Sequence, residues 1–349
     1  MLKVFRIGFM ILFFQVFSVQ AQEVVSFMEF NIWQEGTSIP NGFNKIKDVI
    51  IEVNPDIVGF TEVRNYHNED WTTKLVDALS TEGYQYHGNF AGGDVSLISK
   101  HPIISSSVIY NQEGSIVRFD IDINGQTIVV GVAHLDYTHY ACYLPRGYQG
   151  GDPDWKMIEG KKGQPKPVLD VPYILSYNLN SQRDEQIAAF LTAIENESKP
   201  IVLMGDFNEP SYTDWSENTG NMFDHHGLVI PWQNVRALHQ HGFIDAYREY
   251  FPNEVKNPGI TWPSFVAERG STSWTPLADE RDRIDFMLYK SEDIQTEYVS
   301  LVGPKASYVY NQADTSFTSN DNFLAEKLPW PSDHKAVYAR LRFLQTKTH

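Results

Sequence analysis

The sequence predicts an α/β domain in which two sheets pack on each other and helices flank them, and three observations carry that reading. Apolar strand segments alternate along the chain with segments of helical period. Several strands are joined by short turns, with Asn124-Gly125 a hairpin turn between two of them, which argues against a doubly wound parallel sheet. No repeat, low-complexity tract or linker divides the chain, so residues 22–349 read as one domain.

The elements follow in order. Residues 24–32, rich in Val, Phe and Ile, form a strand that delivers Asn31 and then Trp33 at its far end. Ile46, Val49, Ile50 and Val53 fall at helical spacing, and Asn54-Pro55 stops that helix. A short buried strand over 57–60 exits into Glu62. Trp71, Leu75, Val76 and Leu79 mark a second helix, closed by Gly83. Strands follow over 95–99, 102–109, 116–121 and 127–133, and the last ends in His134 and Asp136. Residues 137–180 show no sustained period and are rich in Tyr, Gly and Pro. A loop of that length in a compact domain is functional or disordered, and its aromatic content favours function. Ser181 and Asp184 resemble a cap ahead of a helix whose apolar face is Ile187, Phe190, Leu191 and Ile194. The strand over 201–204 runs into Gly205 and presents Asp206 and Asn208 on either side of Phe207. Residues 238–242 end a short helix, 284–289 form a strand carrying Asp285, and 336–343 form a closing strand directly after Asp333 and His334.

Lys3 and Arg6 ahead of the apolar run 7–17, with small residues near Ala21, describe a secretory signal peptide over 1–21, so a secreted or periplasmic location is expected. No other segment offers a membrane span, and the mature chain is expected to carry none. The single Cys142 cannot form an internal disulfide, which leaves stability to the core. Losing the two positive charges of Lys3 and Arg6 takes the formal net charge from −16 to −18. So acidic a surface repels polyanions, and long nucleic acid is not the favoured partner. Four histidines, His225, His226, His239 and His241, lack the accompanying Cys or carboxylate spacing of a zinc site and read as surface residues.

Polar residues thus recur beside the ends of apolar strands, and their types suit metal-assisted attack on a phosphoester. Glu62, Asp333 and Asn31 offer oxygen ligands for Mg2+, with Mn2+ a second option. Asp206 and Asn208 either ligate a cation or orient a water and hold a phosphoryl oxygen. His334 is the expected base, with Asp285 holding its tautomer, and His134 the expected donor to a phosphoryl or leaving oxygen. Asp136 and Tyr137 are either substrate contacts or loop anchors, and Arg146 or Arg183 is expected to reach a phosphate or ring hydroxyl.

Phe30-Asn31, Thr61-Glu62, His134-Leu135, Gly205-Asp206-Phe207-Asn208, Arg283-Ile284-Asp285-Phe286 and Ser332-Asp333-His334 together resemble the endonuclease/exonuclease/phosphatase superfamily. Each motif is short and weak alone, and six in order across the mature chain make a strong set. The resemblance implies a four-layered α/β sandwich and a divalent-cation-dependent phosphoester hydrolase. It implies Glu62 as the main metal ligand with Asn31 and Asp333 near the metal or its waters. By the same resemblance Asp206 and Asn208 bind phosphate and the attacking water, and His334 pairs with Asp285. The expected substrate is a small organic phosphoester such as a sugar, inositol or lipid-headgroup phosphate. The alternative is an extracellular nuclease, which a basic groove would favour; the sequence has no basic cluster.

Overall fold

A computed structural model describes residues 23–344 apart from 113 and 152–154; the expected signal peptide lies outside the described residues. The chain opens with β1 (Glu23–Asn31), buried from Val25 onward, and crosses through α1 (Gly42–Val53) to β2 (Ile57–Thr61), parallel to β1. Helix α2 (Trp71–Thr81) starts at Asp70, whose carboxylate accepts the Thr73 N–H, and leads into β3 (His87–Gly92) and β4 (Val95–Ser99). A meander of β5 (Ile103–Gln112), β6 (Gly114–Ile123) and β7 (Gln126–His134) begins the second sheet. Between β6 and β7 both Asn124 and Gly125 have positive φ, 51° and 91°, the backbone that an Asn-Gly hairpin turn requires.

The aromatic segment is not a bare loop, because it contains α3 (Val171–Asn178), with Pro172 in the first turn and Asp170 as its cap. Helix α4 (Arg183–Ala193) then leads to β8 (Ile201–Asp206), parallel to β7. After it come α5 (Asn234–Gln240), β9 (Ile244–Asp245), α6 (Ala246–Tyr250), β10 (Asp285–Lys290) and β11 (Ile294–Val302). The strands β12 (Ser307–Val309) and β13 (Gln312–Asp314) form a small ladder of their own, and β14 (Phe323–Leu324) and β15 (Ala336–Phe343) close the chain.

The first sheet has the order β14-β11-β15-β1-β2-β4-β3 and the second β5-β6-β7-β8-β10-β9. Pairing is antiparallel except for β1–β2, β11–β14 and β7–β8. Strand alternation assigns the layers. Phe27, Val130, Val132, Val202 and Met287 point between the sheets, whereas Met28, Phe30 and Val58 meet α1 and α2, and Val129, Leu203 and Leu288 meet α4 and α5. The result is the four-layered α/β sandwich with two mainly antiparallel sheets. Burying each such side chain is worth roughly 1.5–3 kcal/mol, and a one-residue slip would turn a whole row to the wrong face, so the register is tightly specified. No helix among the described residues is long and apolar enough to cross a membrane.

A further cluster sits outside these layers. Tyr140, Cys142, Tyr143, Trp215, Trp232, Trp262 and Ile284 pack together, so the aromatic segment has its own small core, with Cys142 only 1% exposed.

Register also explains how distant motifs meet. The strands β1, β2, β7 and β8 all end at one rim, while β10 and β15, running antiparallel to β8 and β1, begin there. Gly205 permits the last step, because its φ is 155° and a Cβ there would lie 1.8 Å from the Ala133 carbonyl oxygen. Gly205→Ala is therefore expected to lower unfolding free energy by about 1–3 kcal/mol or more, measured by urea titration. An unchanged midpoint would contradict this account of the β7–β8 contact.

Candidate active site

Three neighbouring strands of the second sheet set the centre of the site. His134 of β7 and Asp285 of β10 stand directly opposite Asp206 of β8, one on each side. From the facing sheet, Asn31 donates through Nδ2 to Asp206 Oδ2 at 3.0 Å and to Glu62 Oε1 at 3.3 Å. The His134 and His334 Nε2 atoms each lie 3.7 Å from that same Asp206 oxygen. The other carboxylate oxygen of Asp206 accepts the Asn208 N–H at 2.9 Å.

Each imidazole is braced from behind by a carboxylate. His334 Nδ1 is 2.9 Å from Asp285 Oδ2, and His134 Nδ1 is 2.5 Å from Asp94 Oδ2. Burial disfavours charge on both rings, yet the adjacent carboxylates outweigh it: His134 is pushed up to about 9, and His334 well above its ordinary value. Asp206 is pushed up to about 6, first by burial and then by Asp285, with the two histidines opposing. Asp333 reaches about 8, raised by burial and by Glu62 and Asp206 against the charge of His334. The direction common to these carboxyls is a surplus of buried negative charge.

That surplus is the test of whether a divalent cation fits. Glu62 and Asp333 both face the cleft, and Asp333 Oδ1 is buried with no hydrogen-bond partner among the described residues. Two hard carboxylate donors, one of them orphaned, fit Mg2+ or Mn2+. A second group, Asp206, Asp285 and His334, brings donor atoms within 4.8 Å of one another, although the contact between His334 and Asp285 is already a hydrogen bond.

Several sequence expectations need correction. Asn31 is not an open oxygen ligand: it is fully buried, its Oδ1 accepts the Trp33 N–H at 2.9 Å, and its amide bridges two carboxylates. Asp136 is a loop anchor rather than a substrate contact, 2% exposed and accepting the N–H groups of Thr138 and Gln182, each at 2.8 Å. Arg146 cannot reach a substrate. It is 1% exposed and donates to Asp282 Oδ2 and to the carbonyls of Phe223, Asp279 and Arg281. Arg183 is equally buried and donates to the carbonyls of Asp136, Thr138 and His139 and to Asn178. Tyr137, 47% exposed, does line the cleft. His225 is not on the surface either, being stacked on Trp215 at 3.7 Å.

Asp94 was not singled out in the sequence. It follows Gly92-Gly93, and Gly93 takes φ 73°; a Cβ there would meet Ser115 Oγ at 2.3 Å, the atom that receives the Asp94 N–H. The one clue was a His at a strand end in need of an orienting acid. Arg64, also unmarked, pairs with Asp94 at 2.9 Å and approaches Glu62 at 3.7 Å. The cleft wall of Tyr140, Tyr143, Trp155, Trp262 and Trp274 drew its residues from two distant segments, which no local pattern joins.

The model of the Endonuclease/Exonuclease/phosphatase family matches residues 28–334. An uncharacterized Caenorhabditis elegans protein, F14F9.5, is 29% identical over 320 residues, covering 92% of this chain and 92% of its own. Among solved structures, an endonuclease/exonuclease/phosphatase from Beutenbergia cavernae DSM 12333 is similar with a TM-score of 0.52 at 16% identity, over 93% of this chain and 73% of that one. D. rerio TDP2, complexed with a single strand DNA product, gives 0.51 at 14% identity, over 91% of this chain and 98% of that one. At these identities the structural likeness establishes the fold.

The buried arginine gives a direct check. Arg146→Met leaves Asp282 unpaired and is expected to cost about 3–5 kcal/mol of stability by denaturant titration. In the folded protein the Michaelis constant for any phosphoester is expected to stay within about twofold, since uniform binding would be untouched. A raised constant at unchanged stability would restore Arg146 as a substrate contact.

Proposed function

The chain belongs to the endonuclease/exonuclease/phosphatase family, and from that premise we propose that it is a divalent-cation-dependent hydrolase of small organic phosphoesters. The observation that carries the reading is the pair of Asp-braced imidazoles, His134–Asp94 and His334–Asp285, each 3.7 Å from one oxygen of Asp206, with Glu62 and Asp333 facing the same cleft. A glycosidase would have no use for two such pairs.

Glu62 and Asp333 are the residues that would hold Mg2+ or Mn2+, which when bound polarises a phosphoryl oxygen and neutralises its charge. The remaining work belongs to the chain. Asp285 fixes His334 Nδ1 and leaves Nε2 toward Asp206, so the proton of an attacking water passes to this Asp206–His334–Asp285 unit. Asn208 donates its Nδ2 to the Leu135 carbonyl at 3.0 Å, which fixes the amide where its Oδ1 can orient that water. As the water oxygen bonds to phosphorus, the opposite P–O bond breaks and the leaving oxygen takes the proton that Asp94 stabilises on His134. The products are an alcohol and a phosphate with one ester fewer.

The second reading is a nuclease, supported by the DNA product bound to the D. rerio relative. Against it, Arg64 in the cleft is already engaged by Asp94 and Glu62, and the chain is strongly acidic. We further propose that residues 1–21 direct export and are removed, which N-terminal sequencing of the protein from its native host would check.

Turnover is expected on phosphoesters with Mg2+ or Mn2+, to disappear in EDTA, and to fall about 10²–10⁴-fold in His334→Ala and in His134→Ala. Undiminished activity in EDTA, or in both variants, would sink the mechanism. Rapid plasmid nicking lost in Glu62→Ala would favour the nuclease reading instead.

A further inference from the structure

The cleft is two-armed. One hollow of about 580 Å3 holds Glu62, His134, Asp206 and Asn208 against an aromatic wall. A second of about 530 Å3 is lined by Thr37, Ser38, Ser271 and Thr272. Trp33, Gln34 and Trp274 belong to both, and so does Asp333, so the two hollows meet at the acidic centre rather than lying apart.

The walls of the two arms differ in chemistry. In the first, Tyr140, Tyr143, Trp155 and Trp274 form a chain of edge-to-face contacts, with centroids 4.7, 5.5 and 5.2 Å apart and planes at 69°, 83° and 71°. Edge-on packing fixes these rings without burying every face, and Trp274 remains 47% exposed. Such a wall holds flat, uncharged rings by stacking. The second arm is lined by the hydroxyl-bearing side chains Thr37, Ser38 and Ser271. Its indole, Trp33, is held by the Arg269 guanidinium 4.5 Å above it, while Arg269 Nη1 donates to the Ser38 carbonyl at 3.0 Å.

A monoester would fill one arm and leave the other empty.

We propose that the substrate is a phosphodiester with two unlike alcohol groups, a flat uncharged ring-bearing one against the Tyr140–Tyr143–Trp155–Trp274 wall and a hydroxyl-bearing one over Thr37, Ser38 and Ser271. This rests on the hydrolase reading, which sets the phosphorus at the junction of the arms. Hydrolysis then adds water across one P–O bond and yields a phosphomonoester and an alcohol. Trp274 and Trp155 are the residues that select the ring-bearing group.

The test measures both binding and turnover on the full chain with Mg2+. Calorimetry with diphenyl phosphate, phenyl phosphate and dimethyl phosphate is expected to show diphenyl phosphate bound at least about 10-fold more tightly than either of the others. In Trp155→Ala and in Trp274→Ala the ratio of diphenyl to dimethyl phosphate affinity is expected to fall about 10-fold. Trp274 lies at the rim, so its variant should melt within a few degrees of the parent, and the ratio reads ring selection rather than folding. Bis(4-nitrophenyl) phosphate is expected to be hydrolysed faster than 4-nitrophenyl phosphate. Equal or tighter binding of phenyl phosphate, or an unchanged ratio in both variants, would overturn the inference. Turnover of monoesters without any gain for diesters would overturn it while leaving the hydrolase reading intact. Ring-dependent diester binding with no turnover of any phosphoester would support the two-armed cleft and defeat the hydrolase reading.

Discussion

One carboxylate oxygen governs the arrangement of this molecule. Asp206 Oδ2 sits at the end of a central strand, 1% exposed as a residue, with an amide from one sheet and two imidazoles converging on it. A buried carboxylate without a donor or nearby positive charge would cost several kcal/mol, so the Asn31 amide and the two imidazoles are a condition of the fold as much as of any chemistry. Meeting that condition requires Asn31 to arrive from the facing sheet, His134 from the strand on one side, and His334 from the chain just ahead of the last strand. The relative position of the two sheets at this rim is therefore fixed by polar contacts, while the layers below are fixed by apolar burial.

The same logic extends to the aromatic segment. A long excursion from β7 can be ordered only if its backbone polar groups find partners, and two buried arginines supply some of them, at the carbonyls of Thr138, His139 and Cys142. Arg183 gathers the carbonyls of Asp136, Thr138 and His139, and Arg146 ties the segment to the stretch just before β10. These guanidiniums are structural clamps whose planar forks suit carbonyl-rich turns. Their effect on the cleft is indirect, because the rings they hold in place form its wall.

The rim was legible in the sequence because a strand's period is simple and its end is marked by a change from apolar to polar residues, as at Met204-Gly205-Asp206. Six such ends in one chain are hard to produce by accident. Less legible were features set by partners far away in sequence. Nothing near Arg146 tells that it will face Asp282 rather than solvent, and nothing near Asn31 tells which way its amide turns. Asp94 belongs to a two-glycine turn whose importance lies in Ser115 and His134, 21 and 40 residues on. Helix α3 is hidden in an aromatic stretch because it is only eight residues long and exposed Tyr173 interrupts the stripe of Val171, Ile174 and Leu175 that serves the small core beside the sandwich.

Cys142 lies in that small core, between the residues that form the aromatic wall. Burial raises its thiol well above the ordinary range, with Asp282 adding to the effect, so the reactive thiolate is scarce as well as inaccessible. The one sulfhydryl of the chain is thereby kept from sulfenic acid formation, mixed disulfides and covalent pairing with a second copy. Chemical durability toward oxidants comes here as a by-product of packing, and loosening the aromatic wall would expose the chain to oxidation as well as reshape the cleft.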